Sequence, residues 1–203
     1  KGKYRPEIDG LRAFAVVSVI INHFNKDILP SGYLGVDIFF VISGFVITSS
    51  LYGRQDIKFS EYLSSFYSRR IKRLFPALLV FVLIISFITY LFDPSIKQNL
   101  RMGLTSLLGI SNIYVFQQQS DYFGSAQELN PLLHTWSLAV EEQFYLVFPF
   151  LTWFSGFNRN TSNGTKNLFF IISAISVASF ICFLYFYNLN FPAAYFLPTS
   201  RVW

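Results

Sequence analysis

Charged residues are scarce in this chain of 203 residues, since Asp, Glu, Lys and Arg make up only 13% of it. Soluble globular domains carry about 25%. Aromatic residues make up 20%, with 25 Phe and 12 Tyr. So little charge cannot cover a water-facing globule, which excludes an ordinary soluble domain. Long apolar runs bounded by charges instead predict several membrane spans.

Cysteine and histidine are scarcer still, with one Cys and two His. The single cysteine, Cys182, excludes an internal disulfide. The histidines lie in separate segments without metal-ligand spacing, so we expect no metal site. The sequence also lacks a phosphate-binding glycine loop, a dinucleotide-binding glycine pattern and a Gly-x-Ser-x-Gly turn. These absences exclude the nucleotide-binding and serine-hydrolase sites that such motifs build.

The hydropathy pattern predicts an all-α polytopic membrane protein with five to six transmembrane helices in this chain. Five spans are expected, at 11–24, 33–51, 77–92, 136–154 and 168–187. A weaker apolar segment, 100–116, forms either a span or a re-entrant piece. Aromatic residues recur at helical spacing among charges over 59–75, which predicts an amphipathic helix in the membrane interface. Pro76 is expected to open the span that follows.

The net charge of +5 does not indicate a nucleic-acid partner, because the basic residues cluster beside apolar segments. One cluster lies at the N-terminus and another at Arg69–Arg73. Basic residues flanking spans are retained on the cytoplasmic side. We therefore expect a cytoplasmic N-terminus and a cytoplasmic segment 52–75, and we leave the topology after Phe92 open.

Ionisable side chains inside a span are costly and mark candidate functional sites. Arg12 and His23 lie about three helical turns apart, so they share a helix face and are separated by about 16 Å along the axis. Asp9 can pair with Arg12 at i, i+3. Histidine is the natural general base at neutral pH and can carry an acyl group; a hydrogen-bonded packing histidine is the alternative. Asp37 either approaches His23 and supports its charged form or lies exposed at the interface.

The basic cluster Arg69–Arg73 has two interpretations. Arg70 and Arg73 share a helix face at i, i+3, and guanidinium forks suit phosphate oxygens. The pair could therefore hold a nucleotide-type cofactor. The alternative is a basic flank that only fixes the topology.

A last polar cluster lies in the sequence HTWSLAVEEQFY, beside an apolar run. His134 and Glu141 are two helical turns apart and share a face with Tyr145, and Ser137 lies near that face. Glu142 must point elsewhere, because adjacent residues on a helix face different ways. A belt of interfacial aromatics is the alternative, and it accounts for the aromatic side chains but not for the acids.

Four stretches of the chain resemble, in order, those of the bacterial membrane acyltransferases of the acyltransferase-three family. They are YRPEIDGLRAFAVVSVIINH, GYLGVDIFFVISGFVIT, FYSRRIKRLFPALL and PLLHTWSLAVEEQFYLVFP. The resemblance covers nearly the whole chain and implies a bundle of about ten spans, of which residues 1–203 form the first half. The last stretch is most similar to members that carry an additional periplasmic SGNH-like domain. We expect the rest of the bundle and any such domain to lie outside residues 1–203.

The resemblance implies a membrane-bound O-acyltransferase of the bacterial inner membrane that depends on acyl-CoA. Its acceptor would be a hydroxyl of a cell-surface carbohydrate or lipid-linked glycan, such as the O-antigen of lipopolysaccharide, and its donor acetyl-CoA. Arg12 and His23 match the essential arginine–histidine pair of the family, and Arg70 and Arg73 match its donor-contacting R-x-x-R element. A further family signature contains His134, Ser137, Glu141 and Glu142.

Two other functions fit the same ionisable residues. A transporter could use Arg12, His23, Asp37 and Glu141 as a proton or solute pathway. A structural subunit for polymer export would leave His23 unexplained. In the acyltransferase hypothesis, donor phosphates dock at the R-x-x-R arginines, and His23 either deprotonates a sugar hydroxyl or carries the acyl group itself.

Overall fold

The computed structural model describes residues 5–52, 58–92, 96–121, 130–159 and 161–201. These residues form eight α-helices and three short 3-10 helices and contain no strand. The chain divides into an N-terminal unit, Lys1–Tyr52, and a C-terminal unit, Gly53–Trp203. The all-α architecture predicted from the hydropathy pattern is confirmed.

The N-terminal unit is a helical hairpin. Helix α1, Pro6–Phe24, starts with a proline at its first position, where an N–H has no intrahelical partner. Two acidic residues in its first turn face the positive end of the helix dipole. A 3-10 helix, Pro30–Leu34, leads into α2, Gly35–Leu51, which packs against α1.

Two glycines bring the second arm of the hairpin close to α1. A Cβ on Gly35 would lie 2.5 Å from the carbonyl oxygen of Ala15 and 2.8 Å from Cγ2 of Val19. A Cβ on Gly32 would collide with the carbonyl oxygen of Ser18. Backbone atoms cannot move aside as the end of a flexible side chain can, so any larger residue would push the two helices apart.

Asn22 closes the turn between α1 and α2. Its buried Nδ2 donates to the carbonyl oxygens of Leu29, at 2.8 Å, and Pro30, at 3.1 Å. Two backbone acceptors of the turn are thereby satisfied inside the hairpin. This pair of hydrogen bonds fixes the end of α1 that carries His23.

The C-terminal unit contains six α-helices within the described residues. They are α3, Phe59–Phe92; α4, Ile96–Leu107; α5, Ser111–Asp121; α6, Thr135–Phe154; α7, Ser162–Leu189; and α8, Phe191–Phe196. The 3-10 helices Phe157–Arg159 and Pro198–Ser200 follow α6 and α8. Helix α3 packs on α4 and α6, α5 packs on α6 and α8, and α7 packs on α8.

Helix α3 is continuous over 34 residues and runs through Pro76. The prediction that Pro76 opens a separate span is therefore wrong. A proline in a helix interior removes one backbone hydrogen bond, and helices of membrane proteins tolerate this loss when neighbouring groups compensate for it. The amphipathic segment 59–75 and the apolar segment 77–92 thus form a single helix about 50 Å long.

The aromatic face of segment 59–75 packs on α6. The Tyr62 hydroxyl forms a 2.8 Å hydrogen bond with Oγ1 of Thr152, and the Tyr67 hydroxyl donates to the carbonyl oxygen of Leu146 at 2.8 Å. Tyr62 and Phe66 are fully buried. Later residues of α3 meet earlier residues of α6, so the two helices run antiparallel. The aromatic side chains of this face make a helix–helix contact, and the location of the segment in the membrane interface stays a prediction.

Four of the five predicted spans lie within α1, α3, α6 and α7, and the span 33–51 covers α2 and the last two residues of the 3-10 helix before it. Among the described residues, three helical segments are long and apolar enough to cross a membrane: Pro30–Leu51, Phe59–Phe92 and Ser162–Leu189. Helix α1 carries three charged residues near its start, and α6 carries two adjacent glutamates. The protein is a multi-pass α-helical membrane protein.

The weaker apolar segment, 100–116, is not one helix. It is divided between α4 and α5, whose 12 and 11 residues are each shorter than the roughly 20 needed to span a bilayer. Gly109 ends α4 in the left-handed region, with φ of 68°. Its N–H donates to the Ser106 carbonyl and the Ile110 N–H to the Thr105 carbonyl, which is a Schellman motif.

Candidate functional site

In the N-terminal unit, Arg12 and His23 lie on α1 about 20° apart around the helix axis and about 16 Å apart along it. Nη1 of Arg12 lies 3.5 Å from Oδ1 of Asp9, the pairing that the i, i+3 spacing predicts. The face that packs on α2 contains Ala15 and Asn22 and lies roughly a quarter-turn away. The helix therefore places Arg12 and His23 beside its packed face rather than within it.

His23 has a defined tautomer. Its Nδ1 lies 2.8 Å from the carbonyl oxygen of Val19, one turn earlier on α1. A carbonyl oxygen can only accept a hydrogen bond, so Nδ1 carries the proton and donates it. In the neutral ring, Nε2 then holds the lone pair. This is the tautomer in which an imidazole can take a proton from a substrate hydroxyl through its outer nitrogen.

Asp37 lies in the first turn of α2, where its side chain is partly buried. This position belongs to the same hairpin as His23. The predicted pairing of the Asp37 carboxylate with the His23 imidazole stays a prediction.

In the C-terminal unit, Arg70 connects the basic cluster of α3 with the polar cluster HTWSLAVEEQFY of α6. Its Cζ lies over the Phe66 ring at 5.6 Å and over the Tyr145 ring at 5.1 Å. The Tyr145 hydroxyl in turn donates to Oε1 of Glu141, one turn earlier on α6. The R-x-x-R element on α3 and the carboxylate signature on α6 are therefore in contact.

A cavity of about 360 Å³ lies between α3 and α6, and Arg73 and His134 both line it. The other lining residues are mainly apolar and include Leu78, Phe81 and Leu138. Arg73 is exposed. The cavity thus combines a cation and an imidazole with apolar walls, which suits a ligand that has an anionic end and an uncharged end.

The remaining residues of the α6 signature make separate contacts. Oγ of Ser137 donates to the His134 carbonyl at 3.1 Å, within the first turn of α6. The Glu142 carboxylate lies against the α4–α5 turn, where a Cβ on Gly109 would come within 2.8 Å of Oε2. The two adjacent carboxylates therefore have different surroundings, Glu141 beside Tyr145 and Glu142 beside Gly109.

An amide pair that the sequence did not predict lies next to these residues, with Asn112 buried and Gln143 partly buried. Nε2 of Gln143 donates at 2.8 Å both to Oδ1 of Asn112 and to the carbonyl oxygen of Gly109. Nδ2 of Asn112, whose side chain is fully buried, donates to the Phe196 carbonyl at 3.1 Å. The pair ties the α4–α5 turn to α6 and α8. Its only sequence signal is a glutamine next to two glutamates in an apolar run.

A second missed contact involves Arg201, just after the last 3-10 helix. Its Cζ lies over the Tyr195 ring at 4.3 Å and over the Trp136 ring at 5.9 Å. Its Nε also donates to the Tyr195 carbonyl at 3.1 Å. The segment after α7 is thereby attached to the start of α6, close to His134 in sequence.

Two known proteins are similar to this chain in sequence. The O-acetyltransferase OatA of Staphylococcus aureus is 40% identical over 205 residues, which cover 98% of this chain and 33% of the relative. The peptidoglycan O-acetyltransferase OatA of Listeria monocytogenes is 42% identical over 157 residues, which cover 74% of this chain and 25% of the relative.

The chain spans about a third of the length of the first of these relatives and matches the second over a quarter of its length. No solved structure matches it. Residues 5–200 match the acyltransferase domain, so nearly every element described above falls inside the matched region. The sequence motifs and this match indicate the same family. The chain belongs to the acyltransferase-three family.

Proposed function

We propose that this chain is part of a membrane O-acetyltransferase that transfers an acetyl group to a hydroxyl of a cell-surface glycan. The observation that carries the proposal is the tautomer of His23, whose Nδ1 proton is held by the Val19 carbonyl at 2.8 Å. Because Nδ1 already carries the proton of the neutral ring, Nε2 can accept a second proton without a prior change of tautomer. Membership of the acyltransferase-three family supports acyl transfer as the reaction.

The proposed acceptor is peptidoglycan. One relative, at 42% identity, is named a peptidoglycan O-acetyltransferase. The names of the relatives give no support to the O-antigen suggested by the motif resemblance. Peptidoglycan lies outside the cytoplasmic membrane, so we place the enzyme in that membrane, with the N-terminus and the basic cluster at Arg69–Arg73 on the cytoplasmic side.

The proposed donor is acetyl-CoA, bound through its phosphates by Arg70 and Arg73. Three residues of the basic cluster are exposed, namely Arg69, Lys72 and Arg73, as a flank that only fixes topology would be. Arg70 differs, because it is partly buried over two aromatic rings. The apolar cavity beside Arg73 offers room for the uncharged acyl end of such a donor.

In the proposed reaction, Nε2 of His23 removes the proton of a glycan hydroxyl, and the resulting oxygen attacks the thioester carbonyl. The C–S bond then breaks, the acetyl group stays on the glycan oxygen, and the thiolate leaves as CoA after it takes the proton. Alternatively, His23 accepts the acetyl group first and passes it to the hydroxyl. Labelled acetyl-CoA supplied without acceptor distinguishes the two routes, since only the second leaves label on the protein.

The test uses membranes that contain the full-length protein, radiolabelled acetyl-CoA and a peptidoglycan acceptor. We expect His23→Ala to reduce acetyl transfer by roughly 10²- to 10⁴-fold, the usual contribution of a general base. Phe24→Ala is the matched control, because Phe24 is the adjacent side chain and is 86% exposed. It shortens a side chain at the same helix end without touching the imidazole.

Wild-type transfer by His23→Ala, at an equal amount of inserted protein, would refute the role of His23. Absence of donor consumption by the wild type, together with a proton or solute flux, would favour the transporter alternative instead. Transfer to lipopolysaccharide but not to peptidoglycan would support acetyl transfer as the reaction and refute peptidoglycan as the acceptor.

A further inference from the structure

Arg70 is held over the faces of two aromatic rings from different helices. Phe66 is on the preceding turn of α3, with 5.6 Å between its ring centroid and Cζ of Arg70. Tyr145 is on α6, at 5.1 Å. A guanidinium over a ring face is attracted by the ring quadrupole. A guanidinium over a ring keeps its N–H donors, which can bind phosphate oxygens.

The Tyr145 ring is itself fixed from two sides. It is buried, with 6% of its surface exposed, and its hydroxyl donates to Oε1 of Glu141. Glu141 and Tyr145 are at i and i+4 on α6, so this hydrogen bond is made within one helix and does not depend on α3. A carboxylate acceptor also increases the electron density of the phenol ring, which strengthens its attraction for a cation.

We propose that Tyr145 and Glu141 are positioning residues that hold the Arg70 guanidinium ready for an anionic oxygen of the acyl donor. This inference rests on the proposed function, in which Arg70 binds a donor phosphate. A long arginine side chain has many rotamers, and a guanidinium already stacked loses less freedom when the phosphate arrives. Neither positioning residue touches the donor.

Arg73 provides the contrast within the same motif. It lies one turn further along α3, is exposed, and lines the apolar cavity. The two arginines therefore have different tasks in this proposal. Tyr145 of α6 holds the Arg70 guanidinium in place before the donor binds, whereas Arg73 contacts the donor from the edge of the cavity. The three-residue spacing of R-x-x-R places one guanidinium over the α6 aromatic and the other at the cavity.

The test compares KM for acetyl-CoA with kcat in the full-length protein. We expect Tyr145→Leu to raise KM for acetyl-CoA about two- to tenfold, the range of one cation–π contact, with kcat nearly unchanged. Tyr145→Phe keeps the ring and loses the hydroxyl, so its effect should be smaller. Glu141→Ala should resemble Tyr145→Phe, and Glu141→Gln should restore most of the lost affinity, because an amide oxygen still accepts the hydrogen bond.

The matched control is Tyr67→Phe. Tyr67 also joins α3 to α6 through its hydroxyl, which donates to the Leu146 carbonyl. If loss of an interhelical tyrosine hydroxyl were enough to raise KM, this variant would do the same. We expect its KM for acetyl-CoA to equal that of the wild type, and KM for the glycan to be unchanged in every variant.

Arg70→Ala separates failure of this inference from failure of the proposed function. An unchanged KM for acetyl-CoA in Arg70→Ala would overturn the donor role of Arg70 itself. A raised KM in Arg70→Ala with a wild-type KM in Tyr145→Leu would overturn only the positioning role. If Tyr145→Leu does not accumulate in membranes, the test compares KM for acetyl-CoA in Glu141→Ala and Glu141→Gln. Equal KM values in these two variants would overturn the positioning role.

Discussion

At the scale of residues, the chemistry of this chain depends on which partner each polar side chain has. The Val19 carbonyl binds the Nδ1 proton of His23, and the ring nitrogen that remains is the one able to accept a proton. The neighbouring residue, Asn22, uses its amide to close the hairpin turn. Of these two adjacent polar residues of α1, Asn22 closes the turn, and His23 is the base in the proposed function.

The amide pair of Asn112 and Gln143 should be costly to break. Asn112→Leu leaves the Gln143 amide and the Phe196 carbonyl without this partner inside the protein. Leaving a buried polar group unsatisfied costs about 1–3 kcal/mol. We expect a lower unfolding temperature in detergent, measured by tryptophan fluorescence.

The double variant of Asn112→Leu and Gln143→Leu should lose less than the sum of the two single variants, because neither side-chain amide is left without the other, although the Gly109 and Phe196 carbonyls still lose their donors. Asn188→Leu is the control, since Asn188 is exposed near the end of α7. Strict additivity of Asn112→Leu and Gln143→Leu would show that the two amides do not depend on each other.

At the scale of elements, two helix pairs carry the candidate residues, and each is held in a different way. The hairpin of α1 and α2 depends on glycines that remove side chains from the contact. The antiparallel pair of α3 and α6 depends on large aromatic side chains and on tyrosine hydroxyls. Because the backbones of α1 and α2 approach closely, any added side-chain atom at the contact destabilises this pair. The pair of α3 and α6 is instead destabilised when a buried aromatic side chain is replaced by a smaller one.

Gly35→Ala tests the glycine contact of the hairpin. The new Cβ would lie 2.5 Å from the backbone oxygen of Ala15, so α2 must move away from α1. Overpacking of this kind costs about 1–3 kcal/mol. We expect a lower unfolding temperature and reduced transfer activity in the full-length protein.

Gly44→Ala is the matched control, because it is the same substitution in the same helix and its Cβ would meet no atom within 4 Å. Alanine favours a helix over glycine by about 1 kcal/mol, so this variant should be as stable as the wild type or more stable. Equal losses in the two variants would mean that helix packing is not the reason glycine is required at position 35.

At the scale of the whole molecule, the basic clusters predict the orientation in the membrane. The cluster at Arg69–Arg73 and the N-terminus should face the cytoplasm, which places the turn between α1 and α2 outside. A single reactive cysteine at Asp27, which is exposed in that turn, should be labelled in intact cells by a membrane-impermeant maleimide. The background for this experiment carries Cys182→Ala.

The control position for this labelling is Glu61, exposed in the first turn of α3. Glu61→Cys should be labelled only after the cells are permeabilised. The reverse pattern, with Glu61→Cys labelled in intact cells and Asp27→Cys protected, would invert the orientation and exclude a cytoplasmic donor at Arg70.

The five long apolar helices, α1, α2, α3, α6 and α7, were predictable because apolar runs and helical periodicity are local properties. The shared face of Arg12 and His23 follows from their spacing alone. Pro76 and Gly109 show the limit of local rules. Helix α3 continues through a proline because its surroundings outweigh a local signal, and α4 ends at a glycine whose left-handed backbone leaves no mark in hydropathy.

The contacts between the sequence clusters were not predictable. Arg70 meets Tyr145, and Arg73 meets the cavity that His134 also lines, because α3 and α6 run antiparallel in one particular register. Periodicity gives the face of each helix but not the helix that it faces. Residues more than sixty positions apart in sequence are brought together by packing, and a single sequence considered by itself carries no signal for that pairing.

The closed hairpin has a consequence for how the protein is synthesised. The carbonyl that binds the His23 proton and the carbonyls that anchor Asn22 all belong to residues before Tyr52. Ribosomes deliver these partners first, and N-terminal elements fold first during synthesis. The imidazole of His23 therefore acquires its tautomer as the hairpin enters the bilayer. Translation then adds Arg70 and Arg73, to which the proposed function assigns the donor, to a nascent chain in which His23 is already oriented.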